Sequence, residues 1–307
     1  MKKVKNFLKT IKKAAIEFNN DNGLKLSASL SYYTIFALGP ILIIIISLAG
    51  VFFGRAAIQG KVYEQMSGIV GHDAGMQIQQ IISNIEQTKH TVTGTVIGTI
   101  ILVIAATGVF TEIQGSINYI WSVKSKPKKG FLKIIINRLL SFSLLVSIGF
   151  LLMVSLLANS VMDLLSDHLK SFFEDSTIYI FYGINIIIIL IITSLLFAVI
   201  FKILPDASIK WKDAFTGSVF TAFLFLLGKF LISLYVSKSN IDSTYGAAAS
   251  IIAILLWVYY SSIILYFGAE FTRTWAIYYG SGITPADTAV FIVKQEAKEL
   301  GKDSLDD

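Results

Sequence analysis

A lysine interrupts the apolar run Leu226-Leu227-Gly228-Lys229-Phe230, and no acidic residue stands at its depth in any other hydrophobic segment. An ammonium there has two ways to exist. It can snorkel, because its stem covers much of the roughly 10 Å that helical rise places between Lys229 and the end of its segment. Or it can face a cavity as the counter-charge of an anionic substrate or lipid phosphate. Both readings stand. Tyr235, Tyr245 and Trp257 follow it in sequence and are candidates to line the same path, with Trp257, Tyr259 and Tyr260 expected to pack inside a bundle because mid-span aromatics are not belt residues. A second polar group lies far upstream. Ser27, Ser31 and Thr34 recur at i, i+4 and i+7, which puts three hydroxyls on one helical face beside Tyr32 and Tyr33. In lipid such a face is tolerated only against other helices or a wet cavity.

Other chemistry is hard to find. With no cysteine, disulfides, thiolate nucleophiles and Cys-based zinc sites are excluded. Gly54 to Lys61 imitates a phosphate loop, but the glycines are one residue too far apart and Val62 stands where Ser or Thr is needed. No HExxH or nucleophile-elbow pattern occurs. His168 lies near Asp163, Asp167 and Glu174, yet acids on the wet side of an amphipathic helix are the commoner explanation, so no metal site and no cofactor are assigned. Glu112, Asn118 and Glu270 are polar residues at the ends of apolar segments. Glu112 either sits in the interface or does more; Glu270 and Arg273, at i, i+3, are spaced for a local ion pair.

The elements that hold these residues are membrane spans. The chain of 307 residues is 54% apolar and only 15% charged, with a mean hydropathy of +0.69, outside the range of soluble globular proteins. Six segments are long and apolar enough to cross, at about 35–53, 92–110, 139–158, 178–201, 214–236 and 247–267. The expected fold is therefore an all-α polytopic membrane protein with six transmembrane helices. Read as one helix from Leu24 to Phe53, the first span would be roughly 45 Å long, against a hydrocarbon core of about 30 Å. Gly39-Pro40 is the candidate hinge, since the proline ring removes a backbone donor and clashes with the preceding turn, so this span is expected to be kinked or broken. Gly94, Gly98, Ala105, Gly108, Glu112 and Gly115 form a stripe on the second span, read as packing positions apart from Glu112.

Lys and Arg near the spans set the orientation. Twenty lie in the N-terminal segment, the second and fourth loops and the C-terminal tail, against five in the opposite loops. Both termini are expected to be cytoplasmic, forming a basic skirt toward anionic headgroups of membrane lipids, with no nucleic acid required. Residues 1–22 place Val4, Phe7, Leu8, Ile11, Ala15 and Phe18 on one helical face opposite lysines and read as a basic amphipathic anchor, not a cleaved leader. Residues 23–275 form the six-helix domain and 276–307 a cytoplasmic tail. The external loops carry two amphipathic helices. The first starts near a cap at Asp73 with Ile78, Ile81, Ile82 and Ile85 on one side; the second runs through 161–173. They either roof the bundle or rest on headgroups.

Ordered blocks across about 20–275 resemble the YihY / virulence factor BrkB family of bacterial inner-membrane proteins, which once carried the name ribonuclease BN. They are Ala28 to Thr34, Asn118-Tyr119-Ile120-Trp121, Leu204-Pro205-Asp206 with Trp211-Lys212-Asp213, Gly217, Gly228-Lys229, Tyr235, Tyr245-Gly246, Leu256 to Tyr259, and Gly268-Ala269-Glu270. Gly39 departs from the pattern, which often has Phe before the proline. The resemblance implies six spans and an inner-membrane address, with an unsettled biochemical role. The residues favour a transporter or flippase-like protein for an anionic or lipid-like substrate. A non-transporting scaffold is the alternative; a tRNA-processing ribonuclease lacks the metal-binding cluster it would want on the cytoplasmic side, so an enzyme is not expected. A homo-oligomer is left open.

Overall fold

The structure, a computed structural model, describes residues 2–53, 59–60, 63–64, 67, 72–87, 107–126, 175–238 and 249–294. Residues 92–106 of the span expected at 92–110, the span expected at 139–158, the second amphipathic helix and Tyr245 lie outside them. The fold is mostly helical: α1 (Lys2–Asn20), α2 (Gly23–Phe53), α3 (His72–Gln87), α4 over residues 107–120, α5 (Asp175–Ile203), α6 (Trp211–Lys238) and α7 (Ala249–Tyr278). Segments of α5, α6 and α7, at Gly183–Ile203, Trp211–Ile232 and Ile251–Tyr278, are long and apolar enough to cross a membrane. They coincide with the fourth, fifth and sixth expected spans.

The helix α2 runs without interruption through Gly39-Pro40, so the expected break is not there. One proline forfeits a single backbone bond, and a helix supported by neighbours absorbs that loss; α2 packs along α7. Helix α3 begins at His72, one residue before the expected Asp73 cap, and buries Ile78 and Ile82 while packing on α2 and α7. His72 pairs there with Tyr63 Oη at 2.6 Å.

Helix α7 is the hub, packed against α1, α2, α3 and α6, while α5 packs on α6. The contact between α6 and α7 is built from two matching four-residue steps. Thr221 bonds the carbonyl of Gly217 at 2.7 Å and presses on Gly268; Thr272 bonds the carbonyl of Gly268 at 2.6 Å and presses on Gly217. A Cβ added to Gly217 would stand 1.9 Å from Thr272 Oγ1, and one on Gly268 2.1 Å from Thr221 Oγ1. This reciprocal arrangement lets two backbones approach, as small residues do in membrane helices. Gly115 of the expected second-span stripe differs: a Cβ there meets nothing within 4 Å, and Gly108 faces only Tyr33 at 3.7 Å.

The N-terminal helix does not lie apart from the bundle. Phe7 packs edge-on against Phe220 and Phe271, and Phe18 against Phe267, while Thr10 and Ala14 are buried. The face used is rotated from the expected one, because α1 is apolar on more than one side; Leu8 (61% exposed) and Ile16 (52%) point outward with Lys5, Lys9 and Lys12. A left-handed Asn22 (φ 54°) turns the chain from α1 into α2, with the Asp21 and Asn22 amides closing on Glu17 and Asn19 at 2.8 and 3.0 Å.

At the end where α1 meets the segment after α7, two antiparallel strand pairs were not foreseen. Strand β1 (Val123–Ser125) pairs with β4 (Ala289–Phe291), with Lys124 opposite Val290. Strand β2 (Ala207–Ser208) pairs with β3 (Thr284–Pro285). Bonds from Lys126 N to Thr288 O (2.7 Å), Ile292 N to Ser122 O (2.8 Å) and Ala286 N to Asp206 O (3.0 Å) extend the seams. Residues 284–292 thus sew the connections after α4 and α5 together.

Replacing Gly268 or Gly217 with Leu is expected to destabilise the bundle by about 1–3 kcal/mol or more, the cost of overpacking. Gly115→Ala is expected to be neutral or to gain up to about 1 kcal/mol from helix propensity. Thermal unfolding midpoints of the detergent-purified protein report the difference, and equal tolerance at the three glycines would rule out the close α6–α7 approach.

Candidate functional site

Lys229 sits on α6, half-buried, directly after Gly228. The hydroxyl of Tyr260 on α7 lies where a Gly228 side chain would be, 1.8 Å from a Cβ built there, so any larger residue would push Tyr260 away. One turn earlier on α6, Phe225 meets Trp257 of α7 edge-on, ring centroids 5.7 Å apart. Glycine before the lysine and aromatics across from it therefore put the ammonium stem beside a seam between two membrane helices. Among the described residues no acid is paired with Lys229. Tyr235 continues α6 one to two turns further on.

The hydroxyl group on α2 is arranged differently. Ser27 and Ser31 are buried and bond backward to the carbonyls of Gly23 and Ser27, both at 2.7 Å, while Thr34 is half-buried. The hydrogen-bonding needs of Ser27 and Ser31 are met within their own helix. Tyr32, Tyr33 and Phe36 form an exposed aromatic row, with Tyr32 4.9 Å from Phe36 and 6.0 Å from Tyr33 between ring centroids. Helix α7 packs against both α2 and α6, so the α2 hydroxyls and Lys229 sit on two different neighbours of one helix. Gly39 is buried within α2 and Pro40 continues the helix.

Glu112, Asn118 and Glu270 converge instead on the sewn end of the bundle. Asn118 and Asp206 embrace: Asn118 Nδ2 donates to Asp206 Oδ2 at 2.8 Å and the Asp206 amide donates to Asn118 Oδ1 at 2.8 Å. Gln114, one turn before Asn118, adds a longer bond to Asp206 Oδ2 at 3.4 Å. This clamps α4 to the connection between α5 and α6. Trp121 Nε1 donates to Ala269 O at 3.1 Å and clamps α4 to α7.

Glu270 is fully buried on α7, and neither carboxylate oxygen has a hydrogen-bond donor. The local ion pair expected with Arg273 is stretched, Nη1 to Oε2 3.7 Å, because the guanidinium turns to Ser122 Oγ at 3.2 Å. Ser122 is itself held at φ 57°, where its carbonyl takes the Ile292 amide. Asp21, between α1 and α2, lies beside Glu270 and binds the Lys294 ammonium. That ammonium also lies 3.4 Å from the Ile120 carbonyl and 4.4 Å over the Tyr119 ring. Sequence reading counted Lys294 only toward orientation and passed over Asp21, since nothing local connects residues 273 positions apart. Among the described residues no group of three or more His, Asp and Glu is placed to hold a metal ion.

Comparison with known proteins adds a family. A family model described as Virulence factor BrkB matches residues 14–289. The chain is similar to UPF0761 membrane proteins: 28% identical over 272 residues to that of Teredinibacter turnerae (86% of this chain, 60% of that protein). The figure is 30% over 267 residues for Saccharophagus degradans (85% and 58%) and 27% over 252 residues for Psychromonas ingrahamii (80% of each). The chain spans about three fifths of the length of the first two. No solved structure matches.

Asn118→Ala is expected to lower stability by about 1.5–3 kcal/mol, the range for hydrogen bonds to a charged group. Asn118→Asp is expected to cost more, because it sets two carboxylates against each other. Unfolding midpoints in micelles check the order; a native midpoint for Asn118→Ala would show that the clamp contributes nothing.

Proposed function

The chain belongs to the Virulence factor BrkB family, and from its geometry we propose that it is a transporter or flippase-like protein of the bacterial inner membrane that moves an anionic or lipid-like substrate. Lys229 carries this reading. An ammonium half-buried at an α6–α7 seam, with no acid beside it among the described residues, is poised to attract a phosphate or carboxylate from outside the protein. Gly228 keeps room for the Tyr260 hydroxyl next to it, and Trp257 supplies a flat apolar wall one turn away. An anionic headgroup with an acyl body fits a charge set in an aromatic seam.

Both termini are placed on the cytoplasmic side in this proposal. The ion pair between Asp21, directly after α1, and Lys294, after α7, supports a common side for the two, and the lysine count supports which side. The outward face of α1, with Lys5, Lys9, Lys12, Leu8 and Ile16, would then lie among anionic headgroups, lysines at the phosphate level and apolar side chains below it.

The test uses Lys229→Met and Lys229→Arg in vesicles of phosphatidylcholine and phosphatidylglycerol, following the movement of a fluorescent phosphatidylglycerol between leaflets. Met is expected to lose about tenfold or more, equivalent to about 1.4 kcal/mol, and Arg to retain most of the rate. Native rates in both variants would remove Lys229 from the mechanism.

A further inference from the structure

Glu270 sets an accounting problem that the rest of the fold does not solve. Its side chain is sealed from solvent, and neither oxygen receives a hydrogen bond. Buried carboxylates are ordinarily paired or bonded. The charged groups that face it come from three parts of the chain. Arg273, from α7 itself, stands 3.7 Å away and spends a guanidinium nitrogen on Ser122. Lys294, from the segment after α7, is bound to Asp21. Asp21, from the α1–α2 connection and only 4% exposed, is the group within hydrogen-bond reach of Glu270.

Two carboxylates cannot bond each other, since each is acceptor-only when ionised. One proton between them changes this, giving an O–H donor on one oxygen and an acceptor on the other while Lys294 stays with Asp21. A second unpartnered group lies on the same side. Tyr266, one turn before Glu270, is fully buried and its hydroxyl makes no hydrogen bond. Ser116 of α4 lies beside that hydroxyl.

We propose that Asp21 and Glu270 form a proton-binding site, one proton shared between the two carboxyls, which fastens the α1–α2 connection to α7. Release of that proton leaves two buried carboxylates in contact and drives Asp21, with Lys294 attached, away from α7. The occupancy of the site then decides how firmly both terminal segments hold the end of the bundle. The inference stands on these groups alone and does not depend on the chain moving a substrate.

Infrared spectroscopy on the full chain in phosphatidylcholine nanodiscs, titrated in potassium chloride, tests it. At neutral pH the native protein is expected to show the carbonyl stretch of a protonated carboxyl, about one per chain, shifting in heavy water and vanishing in Glu270→Gln. In Asp21→Asn the band is expected to move to higher frequency, because the carboxylate acceptor has gone. The native spectrum decides even if a variant fails to fold: a native protein with no such band at neutral pH overturns the proposal. So does a band unaltered by both substitutions. Loss of the native band on adding sodium, at unchanged pH, also overturns it, by making the occupant a metal cation.

Discussion

A hydroxyl buried in an apolar bundle has to find an acceptor, and in this chain it repeatedly finds one a turn back on its own helix. Ser27, Ser31, Ser194, Thr221, Ser262 and Thr272 all bond the carbonyl four residues earlier, at 2.6–2.8 Å. For these six hydroxyls hydrogen bonding is settled inside the helix, and contact with the neighbouring helix is left to shape. That is why the α6–α7 interface can place threonine methyls against glycine backbone without an unpaired oxygen on either side. A charged side chain cannot be settled this way. Lys229 and Glu270 are two residues for which no such local solution exists.

Those two residues divide the molecule. Along the span, the seam at Lys229 is lined by rings and glycine, and its charge lacks an internal counter-ion among the described residues. At the end where the terminal segments meet, charges are abundant but tied to one another: Asp206 to Asn118, Asp21 to Lys294, Arg273 to Ser122. The first arrangement invites something from outside. The second holds pieces of one chain together.

Hydrophobic run length was enough to read α5, α6 and α7, because a span is a property of twenty successive residues. Helix α1 was also legible as amphipathic, but not its docking. Leu8 and Phe7 have the same sequence credentials, yet only Phe7 meets rings of α6 and α7. At Gly39-Pro40 the helix is unbroken, because a local rule about proline says nothing of the neighbour that props the helix up. The glycine–threonine steps of α6 and α7 were open to notice, each being a pair at i, i+4. The polar end was not. Strands of two or three residues carry no readable period, and the partners of Asp21 and Asn118 stand 273 and 88 positions away.

The strand pairs at that end also impose an order of assembly. β1 and β2 leave the ribosome well before β3 and β4, which follow the last described helix; β1 pairs across more than 160 residues with β4. While α5, α6 and α7 are being threaded into the bilayer, the connections after α4 and α5 wait with open backbone edges. Only when the segment after α7 emerges can it close both. The bundle is thus zipped by its own late chain, and a translation product halted after α7 would present the same helices with their common end unfastened.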